Sequence, residues 1–230
     1  MTQLIVTPDS AGITDVPGFE AAGVACDIRD KHDLKRPDLA LLFSLRPCTA
    51  AGTFTKNAVK AAPVLLCQKH LAHGGPFHGI VANSGNANAC TGPEGLADAH
   101  TTAQRIAASL NLKPTAFFVC STGRIGQPLP MPKLLKGLER TVTDKGRTAD
   151  HGHKAASAIL TSDTKAKTVT VSFTYDGKKH FVSGIAKGAG MIQPNMATML
   201  AFLATDFSVP RSFLQKTLSE AVTGTFNCIT

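Results

Sequence analysis

Val169-Thr-Val-Ser-Phe-Thr-Tyr-Asp-Gly-Lys-Lys-His-Phe-Val-Ser-Gly-Ile185 alternates apolar and polar residues around a two-residue break, Asp176-Gly177. Val169, Val171, Phe173 and Tyr175 fall on one face, and Thr170, Ser172 and Thr174 on the other, the period of a half-buried strand. Asp-Gly suits a two-residue hairpin turn because both positions take a positive φ there. The stretch therefore predicts an antiparallel hairpin whose return strand covers about 179–185.

Outward from the hairpin, strands and helices alternate irregularly. Asp38–Leu45, Ala51–Thr55, Pro63–Cys67, Gly79–Ala82 and Ala116–Cys120 read as short apolar strands, and Thr198–Ala204 as another. Asn83-Ser-Gly-Asn-Ala-Asn88 reads as a polar loop tolerant of left-handed backbone. Leu96, Ala99, Ala103, Ile106 and Leu110 recur at helical spacing behind Thr91, Pro93 and Glu94, a capping-box start. Further helices are expected near Lys133–Val142, over His151–Leu160 with Asp150 as cap, and after Ser208 with Phe213, Leu214, Leu218 and Val222 buried. Thr225–Thr230 reads as the opening of another strand. The pattern implies mixed sheets layered with helices, an α/β fold, not a doubly wound parallel sheet. There is no internal repeat and no linker.

The chain has 230 residues and a net charge of +8, enough length for a sizeable core. The charge suits carboxylate or phosphate ligands. With no basic run, one Tyr and no Trp, nucleic acid is not the expected partner. The six cysteines form no C-x-x-C pair and read as buried, reduced thiols of a cytoplasmic protein. No apolar run approaches a membrane span and the first residues lack a signal-peptide pattern, so no membrane is expected. His70/His73 and His151/His153 have no Cys or carboxylate at ligand spacing, so no metal is expected. No phosphate-cradling glycine loop is present, and no cofactor is implied.

Chemistry concentrates in Lys187-Gly-Ala-Gly-Met-Ile-Gln-Pro-Asn-Met-Ala-Thr-Met-Leu200. Thr198 follows a small residue, Ala197, at the mouth of an apolar run. If the Ala197–Thr198 bond is cut, the freed α-amino group can act as base for the Thr198 hydroxyl. Its unperturbed pKa is about 7.7–8.0, and Lys187 nearby would lower it. Cutting needs backbone strain, which Pro194 and the Gly188-Ala-Gly190 turn could impose. An ordinary strand beginning with Thr and a surface lysine explain the same residues equally well. Thr122 Oγ–H and the Gly123 N–H, at the end of an apolar strand, could stabilise an oxyanion, or belong to a plain turn. Thr161-Ser-Asp-Thr164 fits a cap, or a hold on a substrate carboxylate.

Six segments occur in a fixed order: Ala21-Ala-Gly-Val-Ala25; Ala50–Thr55 with Val59–Val64; Asn83–Gly92; Ser121-Thr-Gly123; Thr161–Thr164; and Lys187–Leu200. The ordered set resembles the glutamate N-acetyltransferase (ornithine acetyltransferase) family of arginine biosynthesis, from about residue 10 to the last residue. The resemblance implies a layered α/β sandwich of the self-cleaving, N-terminal-threonine type. It implies cleavage at Ala197–Thr198 into an α chain, 1–197, and a β chain starting at 198, assembled as an α2β2 heterotetramer. Thr198 would take the acetyl group of N-acetylornithine and pass it to glutamate, with acetyl-CoA admitted as a second donor. Thr122 and Gly123 match the oxyanion stabilisers, and Thr161, Lys187 and Thr198 the substrate contacts.

Ser162, and Lys165-Ala-Lys167, depart from the family pattern. The 33 residues from Thr198 to Thr230 are far fewer than a family β chain, so the sequence reads as truncated. A self-cleaving aminopeptidase and an inactive fragment are the alternatives.

Overall fold

The computed structural model describes residues 3–192 and 198–229. Eight strands and five helices follow in the order β1 (Ile5–Pro8), β2 (Phe19–Val24), β3 (Leu39–Cys48), α1 (Ala62–His73), β4 (Phe77–Asn86), α2 (Gly92–Ser109), β5 (Phe117–Arg124), α3 (Met131–Asp144), α4 (Ala149–Ala158), β6 (Lys167–Tyr175), β7 (Lys178–Lys187), β8 (Leu200–Thr205) and α5 (Arg211–Gly224). They build two four-stranded sheets, ordered β1-β6-β7-β8 and β2-β3-β4-β5. The first is antiparallel throughout. The second is mixed, because β4 and β5 run parallel with α2 crossing between them. The layered α/β architecture is as expected.

The hairpin forms as predicted, β6 pairing β7 from Lys167↔Ala186 to Tyr175↔Lys178. Asp176 and Gly177 take φ of 48° and 71°, the backbone of a primed turn.

Strand alternation sorts side chains of the mixed sheet into two cores. Ala22, Leu39, Leu41, Phe43, Val81 and Phe117 meet Ile106 of α2 and Leu134 and Leu138 of α3. Their neighbours Ala21, Ala40, Leu42 and Ala82 face Ala155, Ala156 and Ala158 of α4, together with Ile185, Phe202 and Ala204 of the other sheet. Small residues predominate in the second core because α4 lies almost on β2. A Cβ on Gly23 would sit 2.1 Å from the Lys154 carbonyl oxygen.

Several expectations are corrected. Pro63–Cys67 is the first turns of α1, not a strand; Pro63 stands at the helix start, where its missing N–H is not needed. Ala51–Thr55 has no regular structure. Asn83–Asn86 is not loop but the last part of β4, held by pairing to Ser121–Arg124. Thr91 occupies the α2 N-cap but does not cap; its hydroxyl donates to Asn88 Oδ1 at 2.7 Å. Thr148, not Asp150, precedes α4, and Pro210, not Ser208, precedes α5. Within α5 only Val222 is buried, and Phe213 is exposed. Phe226–Cys228 is a short 3-10 turn, not a strand. All six thiols are free, but only Cys26 and Cys67 are buried. Among the described residues no helix is long and apolar enough to cross a membrane.

Candidate active site

The C-terminal ends of β5 and β7 meet where the two sheets face each other. Parallel pairing sets Ser84 beside Thr122 and Gly85 beside Gly123. Alternation points Ser84 and Thr122 to the same side as Ala82, which faces the second sheet. From that sheet Lys187, the last residue of β7, donates from Nζ to Thr122 Oγ1 at 2.9 Å. Lys187 is only 3 % exposed and Thr122 8 %. A surface lysine is thereby excluded.

Burial pushes the Lys187 ammonium below the ordinary lysine value; Asp163 opposes the shift, while Lys167 and Arg29 add to it. Thr122 accepts from Lys187, and its own proton has no acceptor among the described residues. A hydroxyl polarised by an ammonium is a stronger donor to a third group. That is the property an oxyanion stabiliser needs.

Gly123 adopts φ +132°, and a Cβ there would lie 2.1 Å from the Gly85 carbonyl oxygen. Only glycine fits this close crossing of β4 and β5. Gly123 is exposed next to buried Thr122, so its backbone is open to a ligand.

Thr161 follows α4 in a loop held from several directions. Arg36 Nη2 donates to its carbonyl at 2.9 Å, and Arg29 Nη2 donates to that of Leu160 at 2.7 Å. Arg29 is placed by Asp38, whose buried carboxylate accepts from Cys26 N at 2.6 Å and Ile28 N at 2.7 Å, folding the β2–β3 loop inward. Burial, then Arg36 and Arg124, hold the Arg29 guanidinium below its usual value. Asp163 ties this loop to β7, its Oδ1 accepting from Gly188 N at 2.8 Å.

Thr198 lies in a turn, exposed, two residues before Leu200, which pairs with Lys187 at the start of β8. Its φ is +60°, a left-handed conformation that a β-branched residue rarely takes and that costs about 1–3 kcal/mol. It is therefore not the first residue of a strand. Ala197 and Pro194 lie outside the described residues.

Of the expected site residues, Thr122 and Lys187 are brought into direct contact, Gly123 adjoins them, and Thr161 is joined to the same place through Asp163 and Gly188. Sequence reading missed Arg29, Arg36 and Ser84. Ser84 Oγ is fully buried and has no hydrogen-bond partner among the described residues. Its position within the amide-rich stretch, where a loop was expected, hid its alignment with Thr122.

A mixed α/β frame that brings a buried lysine–threonine pair and a strained threonine to one end of its paired sheets defines the class. The chain belongs to the ArgJ family, whose family model matches residues 20–230. It is 46 % identical over 221 residues to the arginine biosynthesis bifunctional protein ArgJ 1 of Clostridium acetobutylicum, covering 96 % of this chain and 53 % of that protein. Among solved structures it is similar to the ornithine acetyltransferase of Mycobacterium tuberculosis complexed with ornithine. That match has a TM-score of 0.75 and 42 % identity, over 89 % of this chain and 100 % of that one. The arginine biosynthesis bifunctional protein argJ of Bacillus halodurans matches with a TM-score of 0.77 and 34 % identity, over 86 % of this chain and 100 % of that one. The chain spans about half the length of the curated relatives it matches.

Proposed function

We propose that the full-length protein transfers an acetyl group from N-acetylornithine to L-glutamate through an acetyl ester of Thr198, after cleaving itself at Ala197–Thr198. The observation that carries the reading is the buried Lys187–Thr122 hydrogen bond, set where β8 opens beside Lys187.

In cleavage, Thr198 Oγ attacks the Ala197 carbonyl and the peptide shifts to an ester. Water then hydrolyses the ester, leaving a carboxylate on Ala197 and a free amine on Thr198. The strained φ at Thr198 supports this step by raising the energy of the intact chain. The solved relatives are covered end to end while the curated ones are covered over about half, which fits a polypeptide divided in two. In this reading the parts are an α chain of 1–197 and a β chain from 198, assembled as α2β2.

In transfer, the Thr198 amine takes the proton of its own hydroxyl as Oγ attacks the acetyl carbonyl. Thr122 Oγ–H and Gly123 N–H stabilise the oxygen that becomes negative. Collapse expels ornithine, which leaves with the proton. The amine of glutamate then attacks the ester and restores the Thr198 hydroxyl. Thr161 and Lys187 contact the substrates. Acetyl-CoA is a second donor in this scheme, a reading supported by the word bifunctional in the relatives' names.

The test supplies N-acetylornithine and saturating glutamate and measures acetylglutamate against acetate. Acetylglutamate in excess is expected. Acetate in excess would contradict transfer and assign a hydrolase.

A further inference from the structure

Within Thr161–Thr164 the side chain of Asp163 is fully buried. Its Oδ1 accepts from Gly188 N at 2.8 Å and pairs with Lys167 Nζ, and its Oδ2 accepts from Thr161 N at 3.4 Å. Gly188 directly follows Lys187 and sits at φ +155°, where the chain leaves β7. Asp163 therefore pins the backbone that carries Lys187 and joins it to the Thr161 loop.

We propose that Asp163 is a positioning residue for the acetyl transfer described above: its hydrogen bond to Gly188 N fixes the backbone that carries Lys187, and it sets a negative charge near the Lys187–Thr122 hydrogen bond. The proposal rests on the transferase reading for its catalytic consequence. Its physical basis is the direction of one hydrogen bond. As an ammonium, Lys187 can only donate to Thr122 Oγ1, which leaves the threonine proton for the reacting oxygen. As a neutral amine, Lys187 offers a lone pair, and the Thr122 proton can turn towards it and away from substrate. Burial favours the neutral amine. Among the described residues, the charged groups that act on Lys187 are Asp163 from the α4–β6 loop, Lys167 from β6 and Arg29 from the β2–β3 loop, and Asp163 is the one carboxylate of these.

The experiment follows the ¹³C resonance of the Lys187 ε-methylene against pH in the full-length protein, assigned by its loss in K187R. In D163N, whose amide oxygen can still accept from Gly188, the Lys187 midpoint shifts down. In K167M, which removes a half-exposed cation and leaves Asp163 uncompensated, it shifts up. The basic limb of kcat/KM for transfer moves in the same direction as the midpoint in each variant. A Lys187 midpoint unmoved in D163N, or a limb that stays while the midpoint moves, overturns the proposal. Should D163N fail to fold, D163S, which removes the charge with a smaller side chain, takes its place, and a midpoint that does not fall there overturns the proposal. Shifted midpoints with no transfer by the wild type support the Asp163–Lys187 coupling and count against the transferase reading alone.

Discussion

Thr122 and Gly123 divide the work of one strand end. The Thr122 hydroxyl accepts from a buried ammonium and keeps its proton free for another oxygen; Gly123 leaves the backbone bare where β4 and β5 nearly touch. Thr122→Val keeps the shape and removes the donor. It is expected to lower kcat about 10²–10³-fold, the usual loss for one oxyanion donor, with KM little changed. Gly123→Ala sets a methyl against the Gly85 carbonyl oxygen, so a drop in melting temperature is expected together with lost activity. Lys187 reads in the sequence as a cation near Thr198 and, by resemblance, as a substrate contact, but nothing in its neighbours foretells that it is buried. Its burial comes from the sheet opposite, through Thr122, 65 positions away in sequence, and a contact of that range leaves no local signature.

At the scale of elements, the hairpin was legible down to its turn because alternation and the Asp176-Gly177 dipeptide agree. The Thr91–Leu110 helix was legible through its 3.6-residue period. Short apolar runs were not. Pro63–Cys67 reads the same as strand or helix over five residues, and Pro63 alone favours the helix start. Asn83–Asn86 has poor strand propensity, and pairing to β5 overrides it. The close fit of α4 on β2 is likewise invisible in sequence except as Gly23. Gly23→Ala is expected to destabilise the protein by about 1–3 kcal/mol or more through overpacking, read from the urea midpoint. The α4–β6 loop also carries a pH dependence. Burial alone would raise the Asp163 carboxyl, but Lys167 and the N–H groups of Gly188 and Thr161 outweigh it and hold the folded value below the ordinary one. Its contribution to stability is then complete above the ordinary carboxylate value, about 3.9, and is lost as pH falls through the folded value. D163N should flatten that part of the acid limb of stability against pH. An unchanged limb would mean that the carboxylate contributes nothing to the fold.

For the whole molecule, two cores on either face of one mixed sheet hold the site rigid. The helix-side core is filled by large residues, and Leu138→Ala within it is expected to cost about 2–5 kcal/mol, measured by chemical denaturation. The core between the sheets is filled by alanines around Ile185 and Phe202, which lets β5 and β7 approach closely enough for Lys187 to reach Thr122. The family was legible from an ordered set of short motifs, because the segments that build the strand ends are the segments that carry the chemistry. The pairing of the two sheets was not, since it is set by contacts between distant parts of the chain. The central claim is that Thr198 becomes an amino-terminal nucleophile. Intact-mass measurement of the full-length protein, before and after exposure to N-acetylornithine, tests it most directly. Two chains are expected, the second beginning at Thr198 and gaining one acetyl group on exposure; a single uncut chain with full transfer activity would contradict it.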